Sequence, residues 1–268
     1  MKYFDFHTHA FADSIVERAM SGLSETSGIT PATDGTLAGL MNVLEKNGID
    51  NAMLLPIATK PTQQTTINNW AASIMNDKLY CCGSVHPDAD DAVQEVERIY
   101  SLGLCGLKFH SEYQHFRPND SKAFPIYRKA AELGVFVVFH GGWDPFGGDE
   151  PLASPKTFAD IAEKFPDLTI IAAHMGGIKC ADEVEDRLAG RYENLYFDTG
   201  VVANYISDEK FLSIAQKQGA DKILFGSDCP WDHPENEIAL INRMPFTDEE
   251  RELIFHKNAE KLVGRQLH

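Results

Sequence analysis

Apolar residues recur along this chain in two alternating rhythms. Short runs rich in β-branched and aromatic side chains are separated by stretches where apolar positions return every three or four residues. That alternation is the signature of parallel βα units. The short runs predict strands at Tyr3–Thr8, Asn51–Leu55, Tyr80–Val85, Cys105–Phe109, Val135–Phe139, Leu168–Ala173, Leu195–Asp198 and Lys222–Gly226. Between them, Leu37, Leu40, Met41 and Leu44 follow helical spacing, and Gly48 ends that helix. Ser154 is an N-cap with Pro155 at the first helical position, ahead of Phe158, Ile161, Ala162 and Phe165. Thr247 and Glu250 form a capping-box pattern before the last helix. Eight strands, each followed by a helix, predict an α/β protein: one (β/α)8 TIM barrel forming a single domain over residues 1–268. The competing open, doubly wound sheet carries a glycine-rich phosphate turn after its first strand, and here His7 and His9 occupy that position. The Gly/Ser/Thr-rich stretch from Ser21 to Gly35 reads as a long loop between the first strand and its helix. In a barrel that loop lies on the active face, where it can act as a lid.

Composition narrows the function classes. A globule of 268 residues buries roughly three quarters of its unfolded surface and needs no disulfide staples. The five cysteines are odd in number, Cys81 and Cys82 are neighbours, and there is no CxxC pair. Reduced thiols in a cytoplasm-like compartment are expected. No apolar run approaches the roughly 20 residues that span a bilayer. The opening MKYFDFHTHAF runs straight into strand sequence, so a signal peptide is not expected. A formal charge of −16 without a basic patch argues against nucleic acid as a partner. A small molecule is the expected partner, and a homo-oligomer is left open.

In a barrel the chemistry stands at the C-terminal ends of the strands. The first strand ends in His7-Thr8-His9, and side chains two apart on a strand share a face. The third ends near His86, the fourth at Lys108 and His110, the fifth at His140, the sixth at His174, and the eighth at Ser227-Asp228. Packing gives no reason to gather histidines at one end of one layer. Imidazole and carboxylate together suit Zn²⁺ first, with Mn²⁺ or Fe²⁺ as alternatives. His7, His9, His140 and Asp228 could supply such a ligand set from strands one, five and eight, and strands one and eight become neighbours when the barrel closes, which brings the His7–His9 pair to Asp228.

The run YFDFHTHAF, followed by VVFHGGWDP, FPDLTIIAAHMGG, LYFDTG, ILFGSDCPW and KNAEKLVG, resembles the amidohydrolase-2 branch of the amidohydrolase superfamily. These are TIM-barrel, metal-dependent hydrolases with decarboxylase relatives. The resemblance covers nearly the whole chain in order. It implies a mononuclear divalent metal held by His7, His9, His140 and Asp228, with His174 and Asp228 catalytic. Lys108 is either a carbamylated bridge between two metals, as in other branches, or a cationic anchor for a substrate carboxylate, which we prefer. The resemblance implies a hydrolase acting on an ester, lactone or amide through metal-activated water. The alternatives are a nonoxidative decarboxylase of a small carboxylated, aromatic substrate, a metal-independent hydrolase, and a barrel that binds a ligand without turnover.

Other residues carry simpler readings. His86 caps a strand, and His110 is a substrate or metal contact. Trp143, Phe146 and Trp231 form an apolar substrate wall or pack within loops. Cys229 is buried filler, and Asp198 hydrogen-bonds structure. Glu112, Arg117 and Asp144 sit on active-face loops. His115, His233, His256 and His268 are surface groups, and the acidic run Asp182–Asp186 is a solvated helix face.

Overall fold

The computed structural model describes residues 1–264; His268 lies outside the described residues. The eight expected strands are present in order: β1 (Phe4–Thr8), β2 (Asn51–Leu54), β3 (Leu79–Cys81), β4 (Gly106–Phe109), β5 (Phe136–Phe139), β6 (Ile170–Ala172), β7 (Leu195–Asp198) and β8 (Ile223–Leu224). Every pairing between neighbours is parallel. The ladders fall into runs of three and five strands, and two parallel bridges join them into a closed barrel. Gly83 pairs with Leu107 across β3 and β4, supported by Lys108 N donating to Gly83 O at 2.8 Å. Thr8 pairs with Cys229 at the β8–β1 seam, where Phe6 N donates to Phe225 O at 2.7 Å and Asp228 N to His7 O at 2.8 Å. β8 is shorter than expected because the Phe225 amide donates to Ile254 O of the C-terminal helix rather than to β7.

Two apolar layers follow from strand alternation. Ala52, Leu54, Leu107, Phe109, Val137 and Phe139 belong to the outer cluster shared with the helices. Phe4, Phe6, Met53, Phe136, Val138, Ile171, Tyr196 and Leu224 fill the barrel interior, and Ala259, Leu262 and Val263 close its floor. Gly106 is required in this layer, because a Cβ there would come within 2.2 Å of the Phe136 ring.

The expected helix signals hold. Thr247 and Glu250 form the reciprocal capping box, and Ser154 Oγ accepts from Thr157 N ahead of helix Pro155–Lys164. The Ser21–Gly35 stretch departs from expectation. Its first part belongs to a helix, Val16–Ser27, that ends on Gly28 in the left-handed conformation. Val16, Ala19, Met20 and Leu23 supply an apolar stripe at helical spacing, which the polar composition of the segment concealed. The acidic run lies on helix Ala181–Arg187, where Asp182 is exposed but Glu185 is clamped by Lys210 and Lys217.

One irregularity sets up the mouth of the barrel. The β1–β2 register shifts between Asp5 and Thr8, a bulge that lets Phe4 and Phe6 face the interior and His7 and His9 face it too. Asp5 satisfies the groups this disturbs. Its Oδ1 accepts from His7 N (3.2 Å) and Ser227 N (2.9 Å), and its Oδ2 accepts from Ser227 Oγ at 2.5 Å. Asp5 is fully buried, and burial pushes its carboxyl up to about 7. Asp5→Ala leaves three buried donors unpaired and should cost about 2–4 kcal/mol, whereas Asp5→Asn, which keeps an acceptor at Oδ1, should cost about 1 kcal/mol. Urea unfolding measures both, and equal losses for the two variants would contradict the clamp.

Candidate metal centre

His7 and His9 present the same ring nitrogen to the same point for separate reasons. His9 Nδ1 lies 2.9 Å from Leu55 O, which can only accept, so Nδ1 carries the proton and Nε2 keeps its lone pair. His7 Nδ1 lies 2.8 Å from Asp198 Oδ2, which fixes the same tautomer. Gly226 makes room for His7, since a Cβ at that position would stand 2.7 Å from the His7 Cβ. Asp228 enters from β8 with φ 64°, in the left-handed region, on the turn that Asp5 and Ser227 anchor.

Three lone-pair atoms therefore converge. His7 Nε2 and His9 Nε2 are 3.2 Å apart, and Asp228 Oδ1 lies 3.3 Å from the first and 3.1 Å from the second. No hydrogen is available among these three atoms to relieve the repulsion. Ligands at about 2.1 Å in a tetrahedral shell stand about 3.4 Å apart, close to the edges seen here. The donor set and its spacing fit a divalent cation, and these residues form one of three such groups among the described residues.

The electrostatics agree with this arrangement. Burial pushes the His7 imidazole down to about 4, helped by the neighbouring Lys108 ammonium, so the ring is neutral at pH 7. Burial acts to raise the Asp198 carboxyl, but the His7 ring and the His174 amide that donate to it outweigh burial and hold it well below the ordinary carboxylate range. Lys108, 1% exposed, has Nζ 3.2 Å from His7 Nε2. Burial lowers it to about 8, against the pull of Asp198 and Asp228.

His140 and His174 form a second rank. His174 Nδ1 lies 2.8 Å from Gly200 O, so in the neutral ring Nε2 accepts from His140 Nδ1 at 3.0 Å. This leaves His140 Nε2 bare: it is buried, has no hydrogen-bond partner, and sits 3.9 Å from Asp144 Oδ2. His140 thus stands one imidazole away from the His7–His9–Asp228 cluster and groups with His110 and Asp144. The His110 and His140 rings are stacked, 4.2 Å apart and 14° from parallel, with Tyr113 on the other face of His110 at 3.6 Å. Parallel rings aim their lone pairs along parallel planes, so this group is poorly shaped for a single ion. Burial lowers the His110 imidazole and raises the Asp144 and Glu112 carboxyls.

These side chains open on a cavity of about 480 Å³. His7, His9, Lys108, His110, His140 and Asp228 line it, with Trp143, Phe146 and Trp231 among its walls. His174 does not line it. Trp143 is held from outside by Lys179, whose Nζ lies 3.2 Å from the ring centroid. Asp144 lines the cavity, Glu112 Oε1 accepts from Leu152 N, and Arg117 lies away from it. His86 Nδ1 accepts from Asp88 N in a turn, and Cys229 is buried in the outer core. His115 and His233 are exposed, while His256 is half-buried beside Glu260. Two contributions escaped sequence reasoning. Asp198 orients His7, which its DTG context at the end of β7 could have signalled, and helix Val16–Ser27 with the preceding Ile15 forms one wall through Ile15, Ala19 and Leu23.

Fold and site together define a TIM barrel carrying a preformed cation-type cluster at its C-terminal mouth. The amidohydrolase family, in its second branch, matches residues 4–265, and the chain belongs to it. An uncharacterised TIM-barrel protein from Bordetella bronchiseptica superposes with TM-score 0.83 at 20% identity, covering 100% of both chains. A 5-carboxyvanillate decarboxylase from Novosphingobium aromaticivorans, complexed with manganese and 4-hydroxy-3-methoxy-5-nitrobenzoic acid, gives TM-score 0.74 at 18% identity over 98% of this chain and 96% of that one. A probable 2-pyrone-4,6-dicarboxylic acid hydrolase from Acinetobacter baumannii, with citric acid bound, gives 0.69 at 16% over 98% and 100%. The comparison with curated proteins finds no match. Among the described residues no helix is long and apolar enough to cross a membrane.

Proposed function

We propose that residues 1–268 form one metal-dependent hydrolase domain acting on an ester, lactone or amide of a small molecule. The observation that carries this reading is the convergence of His7 Nε2, His9 Nε2 and Asp228 Oδ1 within 3.3 Å, facing the cavity. His140, which lines the same cavity and keeps a buried, unpartnered Nε2, completes the proposed ligand set. A divalent ion held there supplies Lewis acidity, lowering the pKa of a coordinated water and polarising a carbonyl oxygen. Zinc is the first choice for this nitrogen and oxygen set, with manganese or iron as alternatives.

The chain's own groups take the remaining work. Asp228, ionised and beside the cluster, accepts a proton from the attacking water and returns it to the leaving group. Lys108 neutralises negative charge at the cavity floor, and His110 contacts the substrate from the adjacent wall. His174 serves through His140, whose tautomer it fixes. Trp143 and Trp231 enclose the apolar body of the substrate.

Nonoxidative decarboxylation is the second reading. A specific observation favours it: Lys108, the one buried ammonium among the described residues, stands beside the cluster in a cavity whose walls are mainly aromatic and aliphatic, as a carboxylate-binding floor requires. Product analysis separates the two. Hydrolysis incorporates isotopically labelled oxygen from water into the product, whereas the lyase releases CO2 without it.

Two measurements address the metal. Protein purified without added metal should carry about one equivalent of a divalent ion, and His7→Ala should lose it together with activity. A metal-free wild type that turns substrate over would reject the reading. Asp198→Asn should force the opposite tautomer on His7 and weaken the ion about 10–100-fold in chelator competition, with the fold retained. Unchanged affinity would show that Asp198 does not orient a ligand.

A further inference from the structure

We propose that the cavity holds an aliphatic tail of the substrate, an unbranched alkyl or acyl chain lying between helix Val16–Ser27 and helix Gln64–Ile74. The reacting end of such a molecule rests on the metal-centred reading above; the tail rests on observations of its own.

The lining changes chemistry around the barrel. Segments after β4, β5, β7 and β8 contribute Tyr113, Trp143, Tyr205 and Trp231. The connections after β1 and β2 contribute Ile15, Ala19, Leu23, Ile29, Ile57 and Ile67. Ile15 is exposed, the other five are half-buried, and neither apolar core includes any of the six. They present apolar surface to the cavity that packing within the protein leaves unused. A ligand that covers it gains at every methylene. Aliphatic walls offer no flat face on which a ring can stack, whereas a flexible chain follows them.

Helix geometry gives this surface a direction and a length. Ile15, Ala19 and Leu23 recur at four-residue spacing, so they form one row along the helix. Met20 fixes the rotation: it is buried against Gly35, where a Cβ would collide with its sulfur. The helix rises about 12 Å from Ile15 to Leu23. An extended chain of about ten carbons spans the same distance. A cavity of about 480 Å³ has room for that chain and a reacting head group. The row lines a concave space, which a chain can enter and a second folded copy cannot. Charge is gathered elsewhere. Lys108, Asp144 and Asp228 are buried towards the floor, and Arg18, the remaining Asp, Glu, Lys or Arg of the lining, is exposed beside the row. Its guanidinium can stay hydrated while its methylene stem lies along a tail.

The test is calorimetry of straight-chain carboxylates, butanoate to dodecanoate, on zinc-loaded protein freed of excess metal. Affinity should rise about 3-fold per methylene up to about decanoate and then level off. Ala19→Phe, which obstructs the row at its middle, should cut the decanoate-to-butanoate ratio about 10-fold. Ile67→Gln should lower the same ratio about 3-fold from the other helix. Each ratio is taken within one protein, so a general loss of binding cancels, and circular dichroism verifies that both variants fold. An affinity that is flat with chain length in the wild type overturns the proposal, as does a ratio that survives in both variants. Repeating the series after a chelator removes the zinc reads the other end: every affinity should fall by one common factor while the slope remains. If zinc removal changes none of them, the metal-centred reading fails, and the slope still decides the tail.

Discussion

Two imidazole nitrogens and a carboxylate oxygen, all bearing lone pairs, are held in contact at the seam where β8 meets β1. Left alone they repel, so the protein must hold them there. Each is restrained from behind: His7 by Asp198, His9 by Leu55 O, and Asp228 by the turn whose Ser227 is clamped by Asp5. The same Asp5 caps the β1 bulge that turns both histidines inward. The closure of the barrel and the assembly of the cluster are therefore one event. Backbone bonds from Phe6, His9 and Asp228 zip β1 to β8 at the point where the three ligand atoms meet. Strain is accepted in return, with His174 and Asp228 both at positive φ.

Much of this was legible in the chain. All eight strands follow from apolar runs, and helix ends at Ser154 and Thr247 follow from capping chemistry, because both signals are local. That β1 and β8 would bring His7, His9 and Asp228 together also follows, since barrel closure dictates that adjacency. What was not legible depends on three-dimensional context. Simple alternation on β1 would turn Phe4 and Phe6 away from His7 and His9, and only the bulge lets all four face inward. The grouping of His140 with His110 and Asp144 rests on ring stacking, which spacing does not encode. Helix Val16–Ser27 was masked by its serine, threonine and glycine content, although its apolar stripe was present in the residues.

The position of Asp198 shows how structural and functional readings merge. Sequence alone gave it a bonding role, and the structure agrees: it accepts from the amides of His174 and Gly200 as well as from His7 Nδ1. Those amide bonds hold the carboxylate at one orientation. A rigid carboxylate behind His7 fixes the tautomer, and with it the direction of the lone pair. A residue that never reaches the cavity thereby governs which atom His7 offers to it.

The cavity divides its labour by depth. Its floor gathers imidazoles, two carboxylates and an ammonium, whereas its walls are mainly aromatic and aliphatic. In so dry a setting each floor charge acts at a lower effective dielectric than it would in water. Lys108 shows the consequence, since burial alone brings its ammonium down to about 8 despite two nearby carboxylates. A further negative group arriving at the floor would favour the protonated lysine, so binding an acid there and charging Lys108 reinforce each other. Apolar walls cannot supply such coupling; they contribute affinity for the body of a ligand and exclude water. Discrimination between substrates of similar shape must then come from the charged groups at the floor, because the apolar walls offer little beyond fit.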